Sequence, residues 1–237
     1  MSGGGLPAPR IVFVTGTDSG VGKTWVGCAL ARALVLAGRR VVAIKVVETG
    51  TELNPSAMED GVQLAAATGQ RSPVHALYRL RTPVAPAVAA DLEGADKLDF
   101  DTVVSEVERV ARGTEITLVE TAGGLLAPLA WDWNVVDLAE ALGASVLVAA
   151  ANRLGTINHT LLTLGALELG GILAAGVVLS APEVPDASTA TNRDAIVRLS
   201  GLDRVLEVPR LSDPAAAAAA VAPALPWILP SGGTDTA

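Results

Sequence analysis

The chain has 237 residues, half of them apolar and 18% charged, and carries a net charge of −8. A chain of this length buries roughly 70% or more of its unfolded surface in one core, so a single domain is expected. The acidic balance, with no basic stripe to override it, excludes nucleic acid as an expected partner, and the longest apolar runs, near 144–151 and 172–181, are far short of the roughly 20 residues that span a bilayer.

Residues 1–9 are rich in Gly and Pro and lack a basic segment followed by an apolar one, so they read as a flexible N-terminus and not as a secretory signal. Ile11–Thr15 is a β-branched run bounded by Gly16 and predicts a strand. From Lys23 to Ala37 the apolar residues recur at helical spacing until Gly38 stops the helix. Cys28, the only cysteine, sits inside that helix as a small apolar residue. It excludes an intrachain disulfide and fits a reducing cytoplasm.

Further strands are expected at 40–44, 116–119, 145–149, 175–179 and 205–208, with helices at about 61–68, 101–112, 135–142, 156–169 and 189–199. Asp213-Pro214 before six alanines reads as an N-cap, a proline at the first helical position and a strong helix former. The domain is expected to run from 10 to 229, with residues 230–237 as a flexible tail. Nearly continuous apolar strands alternating with helices predict an α/β fold, a three-layer sandwich around a mostly parallel sheet. In such sheets ligands sit outside the carboxyl ends of the strands.

Directly after the first strand stands Gly16-Thr17-Asp18-Ser19-Gly20-Val21-Gly22-Lys23-Thr24. Glycines let backbone N–H groups turn inward, Lys23 can reach the β/γ-phosphates, and the Thr24 hydroxyl can ligate Mg²⁺. The strict spacing G-x-x-x-x-G-K-[ST] fails by one residue, since Thr17 stands where the first glycine belongs, so the loop is expanded by one. The motif predicts nucleoside triphosphate binding without naming a reaction.

Glu120 is read as ending the strand 116–119, ahead of Thr121-Ala122-Gly123-Gly124, where its carboxylate can supply a hard oxygen to Mg²⁺ or simply be solvated. Lys45 ends the strand 40–44; such a lysine is either a surface cap or a fixed charge that collects an anionic reactant. Asp60, opening a helix, reads on its own as a cap.

Together these segments resemble the dethiobiotin synthetase family. The resemblance is carried by GTDSGVGKT, by KVVETG at 45–50, PVAPAVAA at 83–90, VETAGGLLAPL at 119–129 and LGTINHTLLTL at 154–164, and spans about residues 10 to 211. It implies an ATP-dependent, Mg²⁺-requiring enzyme of biotin biosynthesis, a cytoplasmic homodimer. Such an enzyme carboxylates 7,8-diaminopelargonic acid with CO₂ and closes a ureido ring. Residue by residue, it implies that Lys23 and Lys45 are catalytic, and that Gly20, Val21, Gly22, Lys23, Thr24 and Gly123 hold the phosphates. Thr24, Asp60 and Glu120 would hold Mg²⁺. Ser180, Pro209, Arg210 and Leu211 would line the base pocket, while Ser19, Lys45 and Thr49 would contact substrate. The loop Leu154, Gly155, Thr156, Ile157 and Asn158 would present amides to the substrate carboxylate from the neighbouring subunit, with His159 either orienting that loop or serving a structural role.

Four positions depart from the family pattern. Val46 replaces a proline, Thr121 a glycine that could crowd the nucleotide, and Ser19-Gly20 a Thr-Glu found in some members. Ser180 replaces an adenine-reading asparagine, which removes a bidentate amide contact and predicts weaker discrimination among bases. Three other readings compete. A partition-type switch ATPase is disfavoured because Asp18 stands where its second lysine would be; a cobyric-acid type amidotransferase would need a glutaminase domain; the third is a degenerate nucleotide-binding paralogue.

Overall fold

The computed structural model describes residues 10–229; the expected flexible segments 1–9 and 230–237 lie outside them. Six parallel strands form the central sheet in the order β2-β5-β1-β6-β7-β8. These are β1 (Arg10–Gly16), β2 (Val41–Lys45), β5 (Ile116–Gly124), β6 (Ser145–Ala151), β7 (Ala174–Ser180) and β8 (Val205–Val208). The inner strands are largely apolar on both faces because both are covered. In β1, Ile11 and Phe13 enter one core while Val12 and Val14 enter another.

One core holds α1 (Lys23–Leu36), α2 (Asp60–Thr68), α8 (Pro214–Val221) and α9 (Leu225–Ile228) against the sheet. The other holds α3 (Pro86–Glu93), α4 (Phe100–Ala111), α5 (Val135–Ala141), α6 (Thr156–Leu169) and α7 (Asn192–Ser200). Leu30 and Leu34 of α1 are fully buried, each worth roughly 1.5–3 kcal/mol relative to exposure. Cys28, half-buried on the same helix, has its thiol pushed up to about 12 by burial and stays neutral.

Three helix starts carry side-chain caps, of which Asp213 was expected. Asp99 accepts from the Thr102 amide ahead of α4, Asn134 and Asp137 form a capping box on α5, and Asp213 accepts from the Ala216 amide with Pro214 at the first position of α8. By contrast α1 and α6 begin on glycines at positive φ, Gly22 at 96° and Gly155 at 94°, with no capping side chain. Their first-turn amides face the carboxyl edge of the sheet.

The structure differs from the sequence reading in three ways. α7 starts at Asn192 and not at 189, because Asp186 turns the chain back on Ser188 and Thr189. β5 continues to Gly124, so Glu120 lies within a strand and not at its end. Its carboxylate still opens to the ligand edge because β2, its neighbour, stops at Lys45. A second parallel sheet, β3 (Val47–Thr49) with β4 (Tyr78–Leu80), and the helix α3 were not foreseen.

Both open edges of the main sheet are met by side chains. Gln70 Oε1 accepts from the Ala43 amide of β2 at 2.9 Å, and Arg193 Nε donates to the Val205 carbonyl of β8 at 3.0 Å. Among the described residues no helix is long and apolar enough to cross a membrane.

Candidate active site

The loop between β1 and α1 folds tightly because its glycines permit it. A Cβ on Gly16 would lie 2.7 Å from the Asp18 carbonyl oxygen and 2.8 Å from Val21, and Gly22 holds a left-handed turn that side chains resist. Lys23 Nζ donates to the Asp18 carbonyl at 3.0 Å, so the lysine folds back over the loop. Burial, and then the nearby Lys45 charge, hold the Lys23 pKa below the ordinary lysine value.

Parallel pairing of β2 with β5 sets Lys45 beside Glu120 in register. Lys45 Nζ donates to Glu120 Oε1 and to Asp60 Oδ2, each at 2.6 Å, and the Thr24 hydroxyl donates to the same Glu120 oxygen at 2.8 Å. Burial alone would lower the Lys45 pKa, but Glu120 and Asp60 outweigh it and keep the pKa above the usual value. The ammonium is therefore charged throughout the physiological range. Glu120 is 1% exposed and its Oε2 has no hydrogen-bond partner. A buried carboxylate oxygen without a partner is costly unless a cation or donor meets it.

Lys45, Asp60 and Thr24 line a cavity of about 450 Å³, bounded also by Ser19, Gly20, Gly22, Lys23, Thr49 and Gly123 among others; Glu120, buried beneath them, is not part of its wall. A wider cavity of about 830 Å³ opens on the far side of the loop. It is walled by Gly20, Val21, Gly22, Ser180, Pro209, Arg210 and Leu211, so the residues expected for phosphates and base do converge. The Ser180 hydroxyl is buried without a partner, close under Gly22. Thr121 is buried and lines neither cavity, so it does not crowd this space; Val46 is core.

The loop Leu154, Gly155, Thr156, Ile157 and Asn158 also lines neither cavity. Its Leu154 amide donates to Asp186 Oδ2 at 2.9 Å and its Thr156 amide to the Arg153 carbonyl at 3.1 Å. The Asp186 carboxyl is held at about 2 by the Ser188 hydroxyl and by the amides of Leu154 and Ser188. Behind the loop, buried Asn152 bonds Asn192, the Thr189 carbonyl and Glu207. His159 is exposed, so the loop is oriented by Asp186 and Asn152 and not by that ring.

Sequence reasoning missed Trp25 and Glu48. Trp25 lines both cavities and its indole Nε1 donates to the Leu211 carbonyl at 2.8 Å, tying α1 to the wall of the wider one. Glu48, 8% exposed, faces the smaller cavity and accepts from the Asp60 and Gly61 amides at 2.6 and 3.1 Å. Burial raises its pKa, against those two amides, which lower it. Only a glutamate three residues beyond the strand end at Lys45 hinted at it.

A glycine loop over the central strand of a parallel sheet, feeding a helix through Gly-Lys-Thr, defines the P-loop nucleotide-binding class. The family model described as an AAA domain matches residues 10–218. Among solved structures, the fold is similar to a ParA family ATPase from Chlorobium tepidum, with a TM-score of 0.55 at 12% identity over 90% of this chain and 91% of that one. It is also similar to chloroplast FtsY from Physcomitrella patens, at 0.51 and 17% over 92% and 66% of the two chains.

Sequence relatives narrow the class. The chain is 42% identical to an ATP-dependent dethiobiotin synthetase BioD from an Anaeromyxobacter species, over 86% of this chain and 92% of that protein. It is 39% identical to the protein of that name from Rhodococcus jostii, over 92% and 94%. This chain belongs to the dethiobiotin synthetase family.

Proposed function

We propose that the chain catalyses ATP-dependent ureido ring closure on 7,8-diaminopelargonic acid. One amine of the diamine attacks CO₂ and loses a proton, leaving a carbamate. A carbamate oxygen then attacks the γ-phosphorus of the nucleotide, releasing the nucleoside diphosphate. The second amine attacks the carbonyl of the resulting mixed anhydride, phosphate leaves, and the ring closes as dethiobiotin. Each step forms or moves negative charge, so fixed cations and oriented N–H groups are the appropriate catalysts.

Lys45 carries this reading: a buried ammonium held between Glu120 and Asp60 at 2.6 Å and facing the same cavity as Lys23. Lys45 holds the carbamate, while Lys23 and the amides of Gly20, Val21 and Gly22 take the phosphates. Ser19 and Thr49 contact the diamine, and Ser180, Pro209, Arg210 and Leu211 enclose the base.

Thr24, Asp60 and Glu120 are a hard-oxygen set suited to Mg²⁺, and the unpartnered Glu120 Oε2 supports that fit. Among the described residues no group of three or more His, Cys, Asp or Glu is arranged to hold a metal. When bound, the ion would offset charge on the transferring phosphoryl group.

The substrate carboxylate is received by Leu154–Asn158 of a second copy of the chain; that this loop lines neither cavity of its own chain supports a homodimer. The enzyme works in the cytoplasm on small molecules, without nucleic acid or membrane as partner.

The test is phosphate release by purified protein with Mg²⁺, bicarbonate and ATP, with and without the diamine. Release that requires the diamine is expected. Hydrolysis independent of it would instead make the chain a switch ATPase, and no release at all a degenerate nucleotide binder.

A further inference from the structure

The two-stranded sheet lies beside the reaction cavity; its Thr49 faces the diamine in the steps above, but Glu48 and Arg79 do no work in them. Its register sets Glu48 of β3 directly opposite Arg79 of β4. From there the two side chains reach the same target, the first residues of α2. Glu48 accepts from the amides of Asp60 and Gly61. Arg79 donates to both carboxylate oxygens of Glu59, at 2.6 and 2.9 Å. Residues 59, 60 and 61 are thus gripped one after another.

Glu59, at the N-cap position, makes no capping bond with its own side chain, because Arg79 and the Ser56 amide occupy it. Glu48 performs the capping task from a distant strand. On the opposite side the helix start is pressed against the chain at His75–Ala76: a Cβ on Gly61 would lie 2.7 Å from the His75 carbonyl carbon and closer still to the Ala76 nitrogen. Asp60, the residue between, directs its carboxylate at Lys45.

We infer that the β3–β4 pair is a clamp that fixes the position of Asp60, with Glu48 and Arg79 as positioning residues for the phosphoryl and cation site. This rests on the reading of Asp60 given under the proposed function. Glu48 touches no reacting atom in this scheme. Groups that orient a metal-binding carboxylate typically govern metal affinity by about 10–100-fold when removed.

The test is a cycle of Glu48→Gln, Glu48→Ala, Arg79→Ala, Asp60→Asn and the Glu48→Gln/Asp60→Asn double variant. Mg²⁺·ATP binding is read by calorimetry, and half-saturating Mg²⁺ and kcat are read in the phosphate-release assay. Glu48→Ala is expected to weaken Mg²⁺·ATP binding by about 10–100-fold. Glu48→Gln keeps one acceptor oxygen, so it should recover part of that loss, and Arg79→Ala should act in the same direction but less. Because the clamp acts through Asp60, Glu48→Gln should cost nothing further once Asp60 is Asn. An additive double variant, or single variants that bind like the parent chain while Asp60→Asn does not, would overturn the clamp. If Asp60→Asn alone has no effect, the metal assignment falls and the clamp with it.

Discussion

The two cavities that meet at Gly20 and Gly22 are made of different materials. In the smaller one, Lys45, Asp60 and Thr24 of the wall and Glu120 buried beneath it are linked by hydrogen bonds of 2.6 to 2.8 Å, so each side chain depends on the others. In the larger one the wall mixes loop backbone, Pro182, Pro209 and Leu211 with Trp25, Arg153, Glu183 and Arg210, and the Ser180 hydroxyl bonds to nothing. Interdependent charges resist substitution, because removing one leaves the rest buried and unpaired. A pocket whose buried hydroxyl has no partner can change its preference there at little structural cost.

If that contrast is correct, Lys45→Ala is the most damaging change. It should lower diamine-dependent phosphate release by about 10²–10³-fold. Leaving Glu120 buried without its cation should also cost about 3–5 kcal/mol of stability, read as a lower urea midpoint. A variant as stable as the parent chain would show that the cluster is not interdependent.

Gly61→Ala probes the rim of the same cavity. Its added methyl meets the His75–Ala76 backbone, and a loss of about 1–3 kcal/mol in urea unfolding is expected. On the other side, kcat/KM for ATP should exceed that for CTP, GTP or UTP by less than about tenfold, since a hydroxyl at Ser180 cannot make the bidentate contact that discriminates bases. A large ATP advantage would show that the base is read by backbone.

The phosphate loop joins the two regions and titrates. Lys23 binds phosphates only when protonated, and its pKa lies below the ordinary 10.5 through burial and Lys45. As pH rises through that lowered value the charge is lost, so kcat/KM should fall earlier than for a solvated lysine. Lys23→Arg, which does not titrate in this range, should remove that limb of the profile.

The main sheet was legible because its strands are mainly apolar runs of four residues or more, each bounded by a turn. β3 and β4 have three residues each, too few to establish a period, and only their pairing with one another makes them strands. Glu120 was misplaced as a strand end because the small residues after it read as a turn, whereas they continue beside β1 as far as Gly16 and Gly124. In the reaction cavity only Lys23 and Thr24 were legible from their motif; type and position left Lys45, Asp60 and Glu120 open, and the family resemblance assigned them. Glu48 was missed, because its partners are amides twelve and thirteen residues away that only the tertiary fold brings near.

The side chains at the sheet's two margins bear on how copies of the chain can meet. An outermost strand offers free N–H and C=O groups to any extended segment, the usual route to unwanted polymer growth. Here Gln70 occupies the Ala43 amide and Arg193 the Val205 carbonyl. Strand addition at either margin must first displace one of them, so orderly association is directed to helices and loops, leaving the catalytic edge free of competition from fibre-forming contacts.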